Sequence, residues 1–245
     1  MSVIETRKAG LLHFFRSGPT PCPYLPGRIE RKLFTRIGEE DIAHFNGRLT
    51  EAGFRRSHDI VYRPVCPACQ ACLPVRIPVG GLTWTKSLRR VWRRNDDLHV
   101  ERRDAAATAE HFALFERYQA ARHGESEMAR MSFSDYAAMV EEGAATAVLF
   151  DARDRDGRLI GTMLADEIED GYSAVYSFFE PHPADRSLGT YLILALVEAA
   201  RVRGVNHVYL GYWIKASPKM AYKARFRPLE VLGPDGWRMD ADTGP

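Results

Sequence analysis

The sequence predicts a mixed protein of strands and helices, α/β or α+β, and three observations along residues 159–212 carry that expectation. Leu159 to Glu167 reads as an apolar strand, Asp170-Gly171 is a hairpin turn signal, and Tyr172 to Glu180 is a second strand rich in aromatic and β-branched residues. Pro181 and Pro183 end that strand, because proline cannot donate to a ladder. An apolar helix over Thr190–Arg203, stopped by Gly204, leads into a short strand at His207–Tyr212. Strands and a long helix in this order make layers of sheet and helix.

The 245 residues, 45% of them hydrophobic, suffice for one large or two modest domains with a sizeable core. Two are expected: a smaller, cysteine-bearing domain over 1–97 and a second over 98–245. No apolar run is long enough to cross a membrane, and the N-terminus has no apolar leader, so a cytoplasmic location is expected. The net charge of +2 conceals an asymmetry: residues 1–103 carry +9 and the remainder −7. A basic front half suits a polyanionic partner, although solvated surface charge gives the same composition.

In chain order, residues 1–20 form a basic arm or first strand with Leu11, Leu12, Phe14 and Phe15 as its apolar cluster. Pro19, Pro21, Pro23, Pro26 and Gly27 impose a rigid loop that fixes Cys22 and Tyr24. Ile29–Ile37 reads as a strand. Glu39–Ala52 reads as an amphipathic helix with Ile42, Phe45 and Leu49 on one face. Cys66, Cys69 and Cys72 are spaced like metal ligands, and Cys22 would complete four thiolates for zinc or an iron–sulfur cluster. The alternative is a reduced cluster packed as small apolar side chains. Val75 to Ile77 returns to a strand.

Thr85–Asn95 is the densest basic run. As a helix it puts Lys86, Arg89, Arg90 and Arg93 on one face, with Arg94 beside them and Leu88 and Trp92 beneath. Guanidinium forks on such a face suit phosphate. Leu98–Arg103 is a strand and Ala106–His123 a helix that buries Phe112, Phe115 and Tyr118. Ser132 opens a further helix, and Thr146–Asp151 is a strand. Ser217–Arg225 is a short basic helix, Phe226–Leu232 a closing strand, and the rest a loose tail.

Four blocks of residues resemble a known family. They are Cys22 to Arg28; Gly53-Phe54-Arg55-Arg56-Ser57 leading into Cys69 and Pro74 to Ile77; Ser173 to Pro181 with Arg186 to Thr190; and Tyr209 to Ile214 with Lys219 to Pro228. Over nearly the whole chain they are similar to the aminoacyl-tRNA–protein transferases, in the bacterial branch that transfers leucine. The resemblance implies a GNAT-like acyltransferase fold in the C-terminal half. It also implies transfer of leucine from leucyl-tRNA to proteins that begin with Asp or Glu, creating a degradation signal. Eukaryotic relatives bind a metal cluster through a Cys-x-x-Cys in the first loop; here Leu25 stands three after Cys22.

Attack of an α-amine on an aminoacyl ester needs no ATP and no metal, since the ester is already activated. By resemblance Asp166 is the candidate base or amine orienter. Tyr176 and Tyr222 are candidate donors to the developing oxyanion or to the ribose hydroxyl. Phe178, Phe179 and Trp213 are candidate walls for the leucyl side chain. Arg76 and Arg225 are candidates for pairing with the acceptor's carboxylate, and Lys223 and Arg225 for the terminal phosphates. An arginyl donor is one alternative. An acetyl-CoA-dependent enzyme is another, and there Tyr191 is expected to obstruct the pyrophosphate loop at Arg186 to Thr190.

Overall fold

A computed structural model describes residues 11–142, 145–182 and 184–241; the arm before Leu11 lies outside them. The front of the chain builds a four-stranded antiparallel sheet from β1 (Phe15–Arg16), β4 (Lys32–Arg36), β6 (Ile60–Pro64) and β5 (Arg55–Ser57). A two-stranded hairpin of β2 (Thr20–Pro21) and β3 (Ile29–Glu30) carries the proline loop, closed by Cys22 N–H donating to Arg28 O at 2.9 Å. The strand expected over 29–37 is thus two strands broken at Arg31. Helix α1 (Glu39–Glu51) packs Ile42, Phe45 and Leu49 against Ile37 and Val61, the small core of this part.

The remaining strands form one eight-stranded sheet. They are β7 (Leu73–Pro78), β8 (His99–Asp104), β9 (Ala147–Arg153), β10 (Leu159–Ile168), β11 (Gly171–Phe179), β12 (His207–Trp213), β13 (Glu230–Gly233) and β14 (Gly236–Met239). Their spatial order is β14-β13-β7-β12-β11-β10-β9-β8, all antiparallel except β11 beside β12. That one parallel pair follows from its crossover, helix α5 (Leu188–Arg203), which Gly204 ends in a left-handed conformation. β7 lies between β13 and β12, so residues before 97 supply a strand of the large sheet. The boundary expected at 97/98 falls between helix α2 (Lys86–Arg94) and β8. β14 occupies residues expected to be a loose tail: Asp235-Gly236 turns the chain back, with Gly236 at φ +101°.

Helices cover both faces. α5 and α2 enclose one core with Ile77, Leu88, Met163, Leu192, Leu196 and Leu210. Helix α3 (Ala109–Arg122) and helix α4 (Phe133–Glu141) enclose the other with Phe115, Tyr136, Leu149, Leu164 and Phe178. Ser132 and Asp135 cap α4 reciprocally, as the Ser132 start signal predicts.

A candidate active site between two diverging strands

β11 and β12 pair only from Gly171/His207 to Ser173/Tyr209 and then separate. Separation leaves strand carbonyls without ladder partners, and two cations from elsewhere satisfy them. Arg55 on β5 donates to Val175 O of β11 at 2.5 Å and to Leu210 O of β12 at 3.2 Å. Lys223, on the 3-10 turn Pro218–Arg225, donates to Leu210 O at 2.7 Å and to Tyr212 O. Close approach of Arg55 requires Gly211, where a Cβ would stand 1.7 Å from Nη1 and φ is +70°. Burial, and after it the Arg55 guanidinium, hold Lys223 well below the ordinary lysine value.

Three cavities meet at this gap. The outer one, about 570 Å³, opens at the N-terminus of α5 and is lined by Tyr118, Phe179, Leu188 and Ile193 with the cations Arg122 and Lys219. A central one of about 200 Å³ runs between the strands past Arg55, Tyr176 and Lys223. The third, about 500 Å³, joins Met128, Met131 and Met139 to Arg55, Arg56, His58 and Lys219. Tyr222 borders all three, and Tyr176 the last two. The Tyr176 hydroxyl accepts from Gln119 Nε2 at 2.8 Å, and burial pushes its pKa up to about 12, so it is a donor and not a phenolate.

The structure gathers Tyr176, Tyr222, Lys223 and Phe179 around the gap and places other candidates elsewhere. Asp166 is completely buried, with both carboxylate oxygens 2.9 Å from Arg56 Nε, and borders none of the three cavities. As placed, the carboxylate expected to act as base is committed to Arg56 and does not face the gap. Phe178 is sealed against Phe115 and Tyr136, and Trp213 lies in the α5-side core; neither is a pocket wall. Arg76 is bound by Glu230 at 2.6 Å and stacked 4.4 Å from the Trp237 ring centroid, away from the gap. Arg225 donates to Ser87 Oγ at 2.8 Å and so ties the 3-10 turn to α2.

On α2, Lys86, Arg89, Arg90, Arg93 and Arg94 are all exposed, while Leu88 and Val91 are buried. Its far end reaches the entry to α5. Arg94 lies 3.3 Å from Asp185, and Arg186 is held by Asn95 at 2.9 Å and Asp97 at 2.5 Å. Tyr191, expected to obstruct the loop before α5, turns instead onto Trp92, with ring centroids 5.4 Å apart, and borders none of the three cavities. The four cysteines are free and half-buried. Burial pushes the Cys72 thiol up to about 11, with Cys66, Cys22 and Cys69 adding to the shift. Among the described residues no three or more His, Cys, Asp or Glu stand as a metal-holding group.

Arg55, Gly211, His123 and Lys219 are site residues that the sequence reading missed. One signal was present. Consecutive strand residues face opposite sides, so Arg55 and Arg56 must serve different places.

Comparison with known proteins follows this geometry. The family description "Arginine-tRNA-protein transferase, N terminus" matches residues 20–90, and its C-terminal counterpart matches residues 110–233. The aspartate/glutamate leucyltransferase of Paramagnetospirillum magneticum is 49% identical over 225 residues, 92% of each chain. That of Gluconacetobacter diazotrophicus is 48% identical over 233 residues, 95% of this chain and 90% of the relative. Among solved structures, the C-terminal domain of an assigned lysylphosphatidylglycerol synthetase from Agrobacterium fabrum superposes with a TM-score of 0.50 at 14% identity, covering 78% of this chain and 66% of that one. That likeness concerns the fold alone, an α+β arrangement. With both halves matched and nearly half of the residues shared along nine-tenths of its length, the chain belongs to the aspartate/glutamate leucyltransferases of the arginine-tRNA-protein transferase family.

Proposed function

We propose that this protein transfers leucine from leucyl-tRNA to the α-amino group of proteins that begin with Asp or Glu, in the cytoplasm. The observation that carries the reading is three adjoining cavities that share Tyr222 where β11 and β12 diverge, in a chain 49% identical to an aspartate/glutamate leucyltransferase. The tRNA body lies along the exposed cations of α2. The 3′-terminal nucleotide enters the outer cavity, where Arg122, Lys219 and the start of α5 suit its phosphate. Phe179 and Ile193 receive the leucyl side chain there. The acceptor enters through the methionine-lined cavity, whose Arg55 and Lys219 attract an acidic first side chain.

The reaction draws its rate from positioning the α-amine against an ester that is already activated. No cofactor takes part in that chemistry. A zinc or iron–sulfur site on Cys22, Cys66, Cys69 and Cys72 would require those thiols to close up. Elemental analysis of anaerobically purified protein tests it, and no step of the transfer runs through it. The function itself is tested by incubating the protein with labelled leucyl-tRNA, arginyl-tRNA or acetyl-CoA and peptides beginning with Asp, Glu or Lys. Label from leucyl-tRNA is expected on the acidic peptides alone. Transfer from acetyl-CoA, or from arginyl-tRNA in preference to leucyl-tRNA, would refute the reading.

A further inference from the structure

We propose that Lys223 is the proton-transfer residue of the reaction, accepting the proton of the attacking α-amine and returning it to the departing 3′ oxygen. This rests on the leucyl-transfer reading above. With Asp166 sealed under Arg56, no carboxylate among the described residues borders the central or the methionine-lined cavity. Lys223 borders both and is itself 5% exposed.

Hydrogen bonding gives its amine a direction. Nζ donates to Leu210 O at 2.7 Å and to Tyr212 O, both on β12. A neutral amine has two N–H bonds and one lone pair. With both N–H bonds committed to the strand, the lone pair points away from it, into the gap. An ammonium would place a third N–H beside the Arg55 guanidinium. Arg55 from β5, Tyr176 from β11, Tyr212 from β12, Tyr222 from its own turn and His123 after α3 line those cavities with Lys223, as do Arg56, Lys219 and Tyr118. None carries negative charge to favour the ammonium, since burial raises all four phenols. Burial lowers the Lys223 pKa in the same sense.

The step balances. The α-amine nitrogen bonds to the ester carbonyl carbon, and its proton passes to Lys223 Nζ. The carbon–oxygen bond to the ribose then breaks, and Lys223 returns the proton to the 3′ oxygen. A peptide amide, a free 3′ hydroxyl and neutral Lys223 result. His123 borders the outer and central cavities and is the competing proton acceptor, held below the ordinary imidazole value by burial, Lys219 and Arg122.

Single-turnover transfer from leucyl-tRNA to an Asp-initiated peptide tests the assignment. Lys223→Met and Lys223→Arg are both expected to slow transfer about 10²–10⁴-fold, the usual span of general acid–base catalysis, with the leucyl-tRNA Kd unchanged. Arginine keeps donors for both carbonyls and for an oxyanion but accepts no proton. A Lys223→Arg variant as fast as the unsubstituted protein would therefore overturn the assignment, and so would a loss confined to His123→Gln. A readout independent of activity uses the unsubstituted protein with ¹³C at lysine Cε. The resonance absent from Lys223→Arg is expected to titrate well below 10.5, and titration at or above that value would refute the role. Absence of leucyl transfer by the unsubstituted protein would remove the functional reading itself, whatever the resonance shows.

Discussion

Arg56 and Asp166 face each other in a fully buried, two-oxygen ion pair that fastens β5 of the small sheet to β10 of the large one. Arg56 Nη2 lies 2.7 Å from Oδ1, and Nη1 donates to Glu142 O at 2.7 Å. Breaking one side of such a pair leaves an uncompensated charge in the interior. Asp166→Asn is therefore expected to lower stability by about 3–5 kcal/mol in a denaturant titration. At a temperature where the variant remains folded, leucine transfer should persist. Loss of turnover without loss of stability would restore Asp166 to the chemistry.

Gly211→Ala tests the filling of the gap. A left-handed backbone costs a non-glycine residue about 1–2 kcal/mol, and the added Cβ would displace the Arg55 guanidinium. Val175 O and Leu210 O then lose a donor. The expected outcome is a lower melting temperature together with slower single-turnover transfer. An unchanged rate would mean that Arg55 does not shape the passage.

Tyr176→Phe separates the two tyrosines. The Tyr176 oxygen accepts from Gln119, which leaves its own proton free to be donated into the central cavity. Loss of one oxyanion donor typically costs about 10²–10³ in kcat, and that loss is expected with little change in KM. An equal fall for Tyr222→Phe alone would move the donor to Tyr222, which is more exposed.

Much of this was legible in the sequence, for reasons that particular residues make clear. β10, the Asp170-Gly171 turn, β11, α5 and β12 followed from apolar, aromatic and β-branched runs, one turn dipeptide and one glycine stop. The register of side chains against distant helices did not follow. Phe178 and Phe179 are neighbours on one strand, yet Phe178 is buried beneath α3 and Phe179 borders the outer cavity, because α3 and α4 cover only one face. Asp166 was a candidate by resemblance, and nothing local revealed its partner Arg56, 110 residues earlier in the chain. Lys223 read as a phosphate ligand because a basic helix is ordinarily solvated; only the divergence of β11 and β12 draws it inside.

On α2 the exposed cations divide into two groups. Arg89 bonds to Trp84 O and Arg94 lies against Asp185, whereas Lys86, Arg90 and Arg93 project from the same surface. Replacing these last three by Gln should leave the melting temperature unchanged. The slope of log Kd for leucyl-tRNA against log salt should become shallower by about 0.7–0.9 for each phosphate that is no longer neutralised. An unchanged slope would place the tRNA on another face.

Acid stability is the last expectation and concerns Asp151, which is fully buried. Burial acts to raise its pKa, but the hydrogen bonds from His111 at 2.9 Å and Thr162 at 2.8 Å, together with the electrostatic attraction of His111 and Arg153, outweigh that, and the net shift is downward from 3.8. The native carboxylate therefore binds protons less readily than the unfolded one. Its contribution is fully present above pH 3.8 and disappears as pH falls through the lower native value. Asp151→Asn should destabilise the protein at neutral pH and reduce the steepness of the stability decline below pH 3.8. Denaturant midpoints measured from about pH 7 down to about pH 3 would show this. Parallel curves for the two proteins across that range would mean that the Asp151 carboxylate gains nothing from His111 and Thr162.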